Sequence, residues 1–358
     1  MDITPMDEYM LHQTIEPVAH VSQNDPSWAE RLFVGFHEPG NFALHTGLSL
    51  YPNNDTVEAY ACFIDWRDLG KQHSLRMSTD LANGRHPLGA GSIRVDVLEP
   101  MKRFKMTSTD NDLGLAYELD VVARGEPHAA ESVKRYRKGR LAYDNIVVFQ
   151  PVTVSGTVEF NGHSFVAHDI LGHRDRSWGI RTSGEGRIPR GLYLFAGGEF
   201  EDYSIMVFLQ ERFNGDIVRH TGAVTYADSG RTVEFVEITH ELDIDADARA
   251  LRSGRLTMLD AEGKSWIMDV QPEAILYMAG AGYTSMPDRR GKLGRPSWHA
   301  TWDLNDRETV RKIDGLNDHL CSATLNGSIH GRAMVEPLYG EYTRYGLRAA
   351  EGATFDES

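Results

Sequence analysis

Residues 44–63 read Leu-His-Thr-Gly-Leu-Ser-Leu-Tyr-Pro-Asn-Asn-Asp-Thr-Val-Glu-Ala-Tyr-Ala-Cys-Phe, and the fold class follows from them. Leu44, Thr46, Leu48 and Leu50 keep one parity. So do Val57, Ala59, Ala61 and Phe63, beyond the turn formers Pro52, Asn53, Asn54 and Asp55. Successive strand side chains point to opposite faces, so this period of two predicts a pair of strands with a buried face. Working outward, 92–99 and 116–123 alternate in the same way, and turn signals stand at 82–84 and 109–112. The second half repeats the texture: 203–209, 223–226, 233–238, 256–259 and 266–270 are strand-like. Turn residues separate them at 214–216, 228–230 and 260–264, the last a hairpin signal. Short strands with turns every ~8–12 residues predict a mainly β chain built as sandwiches or barrels. One helix is predicted over 306–319, with Thr309, Val310, Ile313 and Leu316 on one face.

The 358 residues suffice for two domains or one large β domain. The small, polar stretch 182–190 separates two β-rich blocks of similar size. It predicts an N-terminal arm over 1–27, a first β-domain over 28–185, a second over 186–350 and a disordered tail over 351–358. Hydrophobic residues make up 41% and charged residues 25%, a globular profile. No apolar run is long enough for a membrane-spanning helix. The net charge of -15 excludes a nucleic-acid-binding face. The basic run from Lys134 to Arg140 reads as a solvated strand edge. Cys62 and Cys321 are far apart, which implies structural thiols in a reducing compartment. The acidic N-terminus lacks the apolar region of a secretory signal, so a cytoplasmic protein is expected. Exposed strand edges leave a homodimer open.

The chemistry concentrates in 172–181, Gly-His-Arg-Asp-Arg-Ser-Trp-Gly-Ile-Arg, with apolar, strand-like sequence on both sides. Charges in such a setting need partners, because desolvating an unpaired ion costs several kcal/mol, roughly. The segment is therefore a paired structural network or the polar part of an active site. In an extended strand His173, Asp175, Ser177 and Gly179 share one face, and Arg174, Arg176 and Trp178 the other. Alternation alone does not choose which face is enclosed.

These residues resemble a segment, Gly-x-Arg-Asp-His-Ser-Trp-Gly-x-Arg, of bacterial proteins with two consecutive lipocalin-like β-domains. That group resembles the carotenoid 1,2-hydratase (hydroxyneurosporene synthase) and AttH-like superfamily, with its tocopherol cyclase-like and lipocalin-type Diels–Alderase relatives. The matching positions are Gly172, Arg174, Asp175, Ser177, Trp178, Gly179 and Arg181. Weaker echoes are 25–30 (Asp-Pro-Ser-Trp-Ala-Glu), 152–158 before the motif, and the 331–346 tail with Glu336, Tyr345 and Gly346. The pattern has His where this chain has Arg176, so a proton handled there in relatives is not handled from this position. The resemblance implies two lipocalin-like antiparallel β-domains with few helices. It also implies cofactor-free chemistry on a greasy substrate.

An acid–base pair of Asp175 and His173 would supply that chemistry, the carboxyl made protonatable by burial. Trp178, Arg174 and Arg176 would bind substrate, with Tyr283, Trp298 and His299 as further lining residues. Gly172, Ser177, Gly179 and Arg181 would carry the motif's architecture. A structural reading competes: an Arg paired with Asp175 would lower its carboxyl pKa and disqualify it as an acid. His163, His168 and His173 lack the i, i+2 spacing of metal ligands on a strand, so no metal is expected, and the resemblance implies no organic cofactor. No Gly-x-Ser-x-Gly elbow occurs. Two functions remain: an enzyme (hydratase-type lyase, isomerase or cyclase) on a terpenoid, steroid-like or aromatic molecule, or a non-catalytic carrier of such a molecule.

Overall fold

The computed structural model describes residues 3–10, 24–84, 87–130, 133–137, 139–181, 191–246, 250–282 and 294–348. Tyr283, the 182–190 stretch and the 351–358 tail lie outside the described residues. The chain divides into two compact units, one of residues 1–183 and 277–315, the other of 184–276 and 316–358.

The first unit is a 13-stranded antiparallel sheet. Its strands are β1 (Trp28–Glu38), β2 (Phe42–Tyr51), β3 (Thr56–Asp65), β4 (Lys71–Thr79), β5 (Gly89–Ala90), β6 (Ile93–Glu99), β7 (Arg103–Ser108), β8 (Leu115–Ala123), β9 (His128–Ala129), β10 (Lys134–Arg137), β11 (Arg140–Phe160) and β12 (His163–Arg181), with β19 (Ser297–Asp303) returning from later in the chain. The main path runs β19-β4-β3-β2-β1-β12-β11-β8-β7-β6-β5, and β9 and β10 flank β11. The predicted hairpin of 44–63 is β2 and β3, with Leu44 opposite Phe63 and Leu48 opposite Ala59. Leu44, Leu48, Val57, Ala59 and Phe63 enter one apolar core with Leu32, Val34 and Phe36 of β1. The longest strands, β11 and β12, join through Asn161-Gly162 and place β12 between β11 and β1.

The second unit is a closed barrel of β13 (Leu192–Glu199), β14 (Tyr203–Glu211), β15 (Ile217–Tyr226), β16 (Thr232–Asp245), β17 (Ala250–Asp260), β18 (Ser265–Tyr277), β20 (Asn317–Leu325) and β21 (Ile329–Tyr339). Its core is separate from that of the first unit and gathers Leu194, Val207, Leu256, Trp266 and Val335. The 260–264 hairpin is pinned by Asp260, which accepts from the Glu262 and Lys264 amides and the Trp266 indole.

Besides the four-residue α1 (Leu81–Gly84), the described residues hold one α-helix, α2 (Arg307–Ile313). It is shorter than the predicted 306–319. Asp306 caps its start by accepting from the Glu308 and Thr309 amides. It stops before Gly315, and residues from Asn317 onward pair with β21 as a strand. Backbone pairing in the barrel overrides the helical spacing beyond Ile313.

Candidate active site

The 172–181 motif is the second half of β12, an interior strand hydrogen-bonded on both sides. Register settles the two faces. Arg174 stands opposite Val34 and Gln150, and Arg176 opposite Leu32 and Val148. Leu32 and Val34 belong to the apolar core, so Arg174, Arg176 and Trp178 lie on the core face. His173, Asp175 and Ser177 lie on the opposite face. Trp178 is buried, and the structure does not bring it or the two arginines onto the face of His173 and Asp175.

The core-face cations are held by a segment no motif singled out. Residues 5–8 form a 3-10 turn, and Glu8 is buried. Arg174 grips Glu8 with both terminal nitrogens, Nη1 to Oε1 and Nη2 to Oε2 at 2.9 Å each, and its Nε donates to Gln150 at 2.8 Å. The Met101 amide adds a 2.6 Å bond to the same carboxylate. Arg176 donates to the carbonyls of Arg31, Asp7 and Tyr9 and lies 3.9 Å from Glu30. Burial by itself would raise the Glu8 carboxyl. The charge and hydrogen bonds of Arg174, with Arg176 and the Met101 amide, outweigh it and hold the carboxyl below its ordinary value. Met10, next along, enters the apolar core. The two arginines thus fasten the N-terminal segment inside the first unit.

The opposite face is handled differently. His173 stands opposite Gly35 of β1, and Gly35 stands opposite His45 of β2, so the three form one row. Phe33 packs edge-on against His45 at 5.2 Å between ring centroids and tilts over His173 at 5.6 Å. His45 is 0% exposed and His173 6%. Burial pulls both imidazoles down to about 3, and in His173 the neighbouring His45 adds to the effect. Both rings are therefore neutral near pH 7. Asp175 is opposite Phe33, is partly buried, and exerts an electrostatic pull on Arg176. The buried Arg76–Glu58 ion pair (2.9 Å), Cys62 and Ser74 lie on this face as well. Gln72 anchors the returning chain there through both the amide and the carbonyl of Tyr277, at 2.7 Å each.

The remaining residues singled out from sequence are dispersed. Gly179 has φ +127°, and a Cβ there would stand 2.2 Å from the Asp144 carbonyl oxygen, so the position requires glycine. Trp298 and His299 lie on β19 at the sheet edge. Trp298 stands opposite Arg76 and shares the His173 face, five strands and roughly 24 Å away. His299 is exposed. His45 and Glu8 were missed. The available signal for His45 was a histidine within an otherwise apolar, alternating strand.

The barrel carries its own polar cluster. Glu211 accepts from His220 (2.8 Å), His240 (3.1 Å) and Tyr342, and the other ring nitrogen of His240 is 2.7 Å from the Tyr345 hydroxyl. Burial would raise the Glu211 carboxyl, but these donors hold it well below the ordinary carboxylate range. The cluster spans strands β14, β15 and β16 where the β15–β16 ladder has ended at Ala223 and Glu234. A cleft of about 650 Å³ beside it is lined by residues including His240, Arg255, Asp269, Arg344 and Tyr345, and by none of 172–181.

Comparison with known proteins places this architecture. A candidate AttH of Nitrosomonas europaea is 13% identical over 91% of this chain and 94% of its own, with a TM-score of 0.54. CghA is 14% identical over 89% and 90%, with a TM-score of 0.51. Kievitone hydratase of Nectria haematococca is 10% identical over 94% and 93%, at 0.49. At such identities the likeness to the candidate AttH and CghA is one of fold, two lipocalin-like β units, as the motif resemblance implies. No curated protein matches the sequence. The model of one family matches residues 3–327, and the chain belongs to it: the family of unknown function DUF8625.

Proposed function

We propose that the chain is an enzyme that works without an organic cofactor, by general acid–base chemistry, on a hydrophobic small molecule such as a terpenoid, steroid-like or aromatic compound. The reacting pair is His173 and Asp175. One observation carries this reading: the two share a face with a second imidazole, His45, while Arg174 and Arg176 are turned away and occupied elsewhere. That division leaves a low-dielectric surface bearing proton donors and acceptors beside the ring of Phe33. Adding or removing water, moving a double bond and closing a ring are all proton-transfer reactions of this kind. The likeness to CghA and the candidate AttH supports the scaffold, and the motif supports the location.

The test is turnover. The full chain is incubated with terpenoid, steroid-like and aromatic compounds, and the mixtures are analysed by mass spectrometry. Asp175→Asn and His173→Gln are each expected to lower turnover by about 10²–10⁴-fold while binding persists. Compounds bound tightly and returned unchanged by the unaltered protein would instead identify a carrier.

A further inference from the structure

We infer that His45 is the second acid–base residue of this face, and that the group acted on is conjugated to a carbonyl: an enolisable ketone or an enone on an apolar skeleton, not an isolated alkene. The inference rests on the reading above and narrows it.

The geometry comes first. His173, Gly35 and His45 form one row across three neighbouring strands, and Gly35 contributes no side chain to it. The Phe33 ring takes that space: a Cβ on Gly35 would lie 2.6 Å from Phe33 Cζ and 3.2 Å from His45 Cδ2. One phenyl ring therefore has an imidazole on either side, each within contact distance. The other ionisable groups of the face include Asp175 and Arg181 of β12, Arg31 and His37 of β1, Tyr51 of β2, Glu58, Tyr60 and Cys62 of β3, Arg76 of β4, Tyr143 of β11 and His128 of β9, and Glu58 and Arg76 pair with one another.

The chemistry follows from the charge state. Protonating an isolated alkene requires a strong acid in its protonated form. Buried imidazoles that stay neutral supply no such proton. A neutral imidazole is a base at one nitrogen and a hydrogen-bond donor at the other, the two functions enolisation requires. One ring takes the proton from the carbon α to the carbonyl. The C–H electron pair forms the new C=C bond, and the carbonyl π pair moves to oxygen. The second ring donates its N–H to that oxygen. Returning a proton from that ring to the γ carbon yields the conjugated isomer, and returning one to the α carbon after the imidazolium has exchanged with solvent restores the ketone carrying solvent hydrogen. Alternatively the β-hydroxyl leaves as hydroxide and takes the proton from the imidazolium, giving enone and water; the reverse is hydration. Every atom and electron is accounted for by substrate, water and the two rings. Asp175, one step along the same face, stabilises the transient imidazolium.

The experiment uses the full chain in D2O with a β,γ-unsaturated steroid ketone, an aromatic enone and, as the isolated alkene, squalene. The expected result is deuterium uptake at the ketone α carbon and no change in squalene. His45→Gln and His173→Gln should each slow uptake by about 100-fold or more. The double variant should be no slower than the slower single one, because the rings act as a unit. The unaltered protein's rate should be flat from about pH 5 to pH 8, since neither ring charges in that range. His45→Asn, checked by near-ultraviolet circular dichroism, separates loss of function from loss of fold. No uptake with any ketone, uptake indifferent to both His45 variants, or a rate that falls through pH 6.5 would overturn the inference. Squalene turnover abolished by Asp175→Asn would overturn it too, yet leave the broader acid–base reading intact. Turnover indifferent to His173→Gln and Asp175→Asn would overturn that broader reading.

Discussion

Both faces of β12 carry buried polar side chains, and the protein treats Arg174 on one and His173 on the other in opposite ways. On the core face, charge is kept and matched: Arg174 and Glu8 satisfy one another with two 2.9 Å bonds, and Gln150 and the Met101 amide take up further positions. On the opposite face the two imidazoles lose their charge: His45 and His173 are held neutral beside Phe33, while the Arg76–Glu58 pair of that face is matched. A matched ion pair is costly to break but chemically inert, because both partners are committed. A neutral imidazole retains its capacity to move a proton. The same strand therefore fastens the N-terminal segment with one side and holds neutral imidazoles on the other.

Breaking the matched side should have the largest effect. Arg174→Ala leaves the Glu8 carboxylate buried without its cation and should cost about 3–5 kcal/mol in urea unfolding. Glu8→Met combined with Arg174→Met should recover most of that loss, since replacing both partners removes the stranded charge. If the double variant is as unstable as the single one, the pair is not what holds residues 5–8.

The neutral side predicts a pH signature. A buried histidine with a folded value of about 3 and an unfolded value near 6.5 binds fewer protons folded than unfolded between those limits. Stability is thus full above pH 6.5 and declines as pH falls, by up to about 1.4 kcal/mol per unit for each ring. Glu8 acts in a lower window: its depressed folded value gives stability that is present above 4.5 and lost as pH falls through the folded value. Unfolding measured between pH 4.5 and 6.5 should show the histidine slope, and His45→Leu with His173→Leu should reduce it to the part that His319 and His73 contribute. An unchanged slope would remove the contrast between the faces.

Gly179 limits how far the motif tolerates change. Gly179→Ala forces a Cβ toward the Asp144 carbonyl and should cost about 1–3 kcal/mol. The smallest effect is a reference. Arg103 and Asp120 on β7 and β8 also make a two-point ion pair, at the solvent-exposed surface and through Nε and Nη2. Arg103→Ala should change stability by no more than about 1 kcal/mol, which isolates burial as the source of the difference.

Much of this was legible in the residues. The alternation at 44–63 and the turns along both halves sufficed for a mainly β chain, and the Gly-His-Arg-Asp-Arg-Ser-Trp-Gly run marked a strand dense in buried polar groups. Other features escaped. Glu8 sits in a polar stretch without periodicity, and its partner is 166 residues away. His45 has the parity opposite to Leu44 and Thr46, and an odd-parity position reads as solvent-facing unless something else buries it. The helical spacing beyond Ile313 was overridden by a strand partner, β21, that lies later in the chain.

By itself the sequence determined the period of two, the strands it implies, and the division of 172–181 into an Arg–Trp set and a His–Asp set. Local backbone geometry forces that division, whatever surrounds the strand. Only the tertiary structure decided which set joins the apolar core and which groups meet each one. Those outcomes depend on the register of β12 against β1 and β11, and on segments distant in sequence. Whether a buried polar group keeps or loses its charge is fixed by what lies within a few ångströms of it in space.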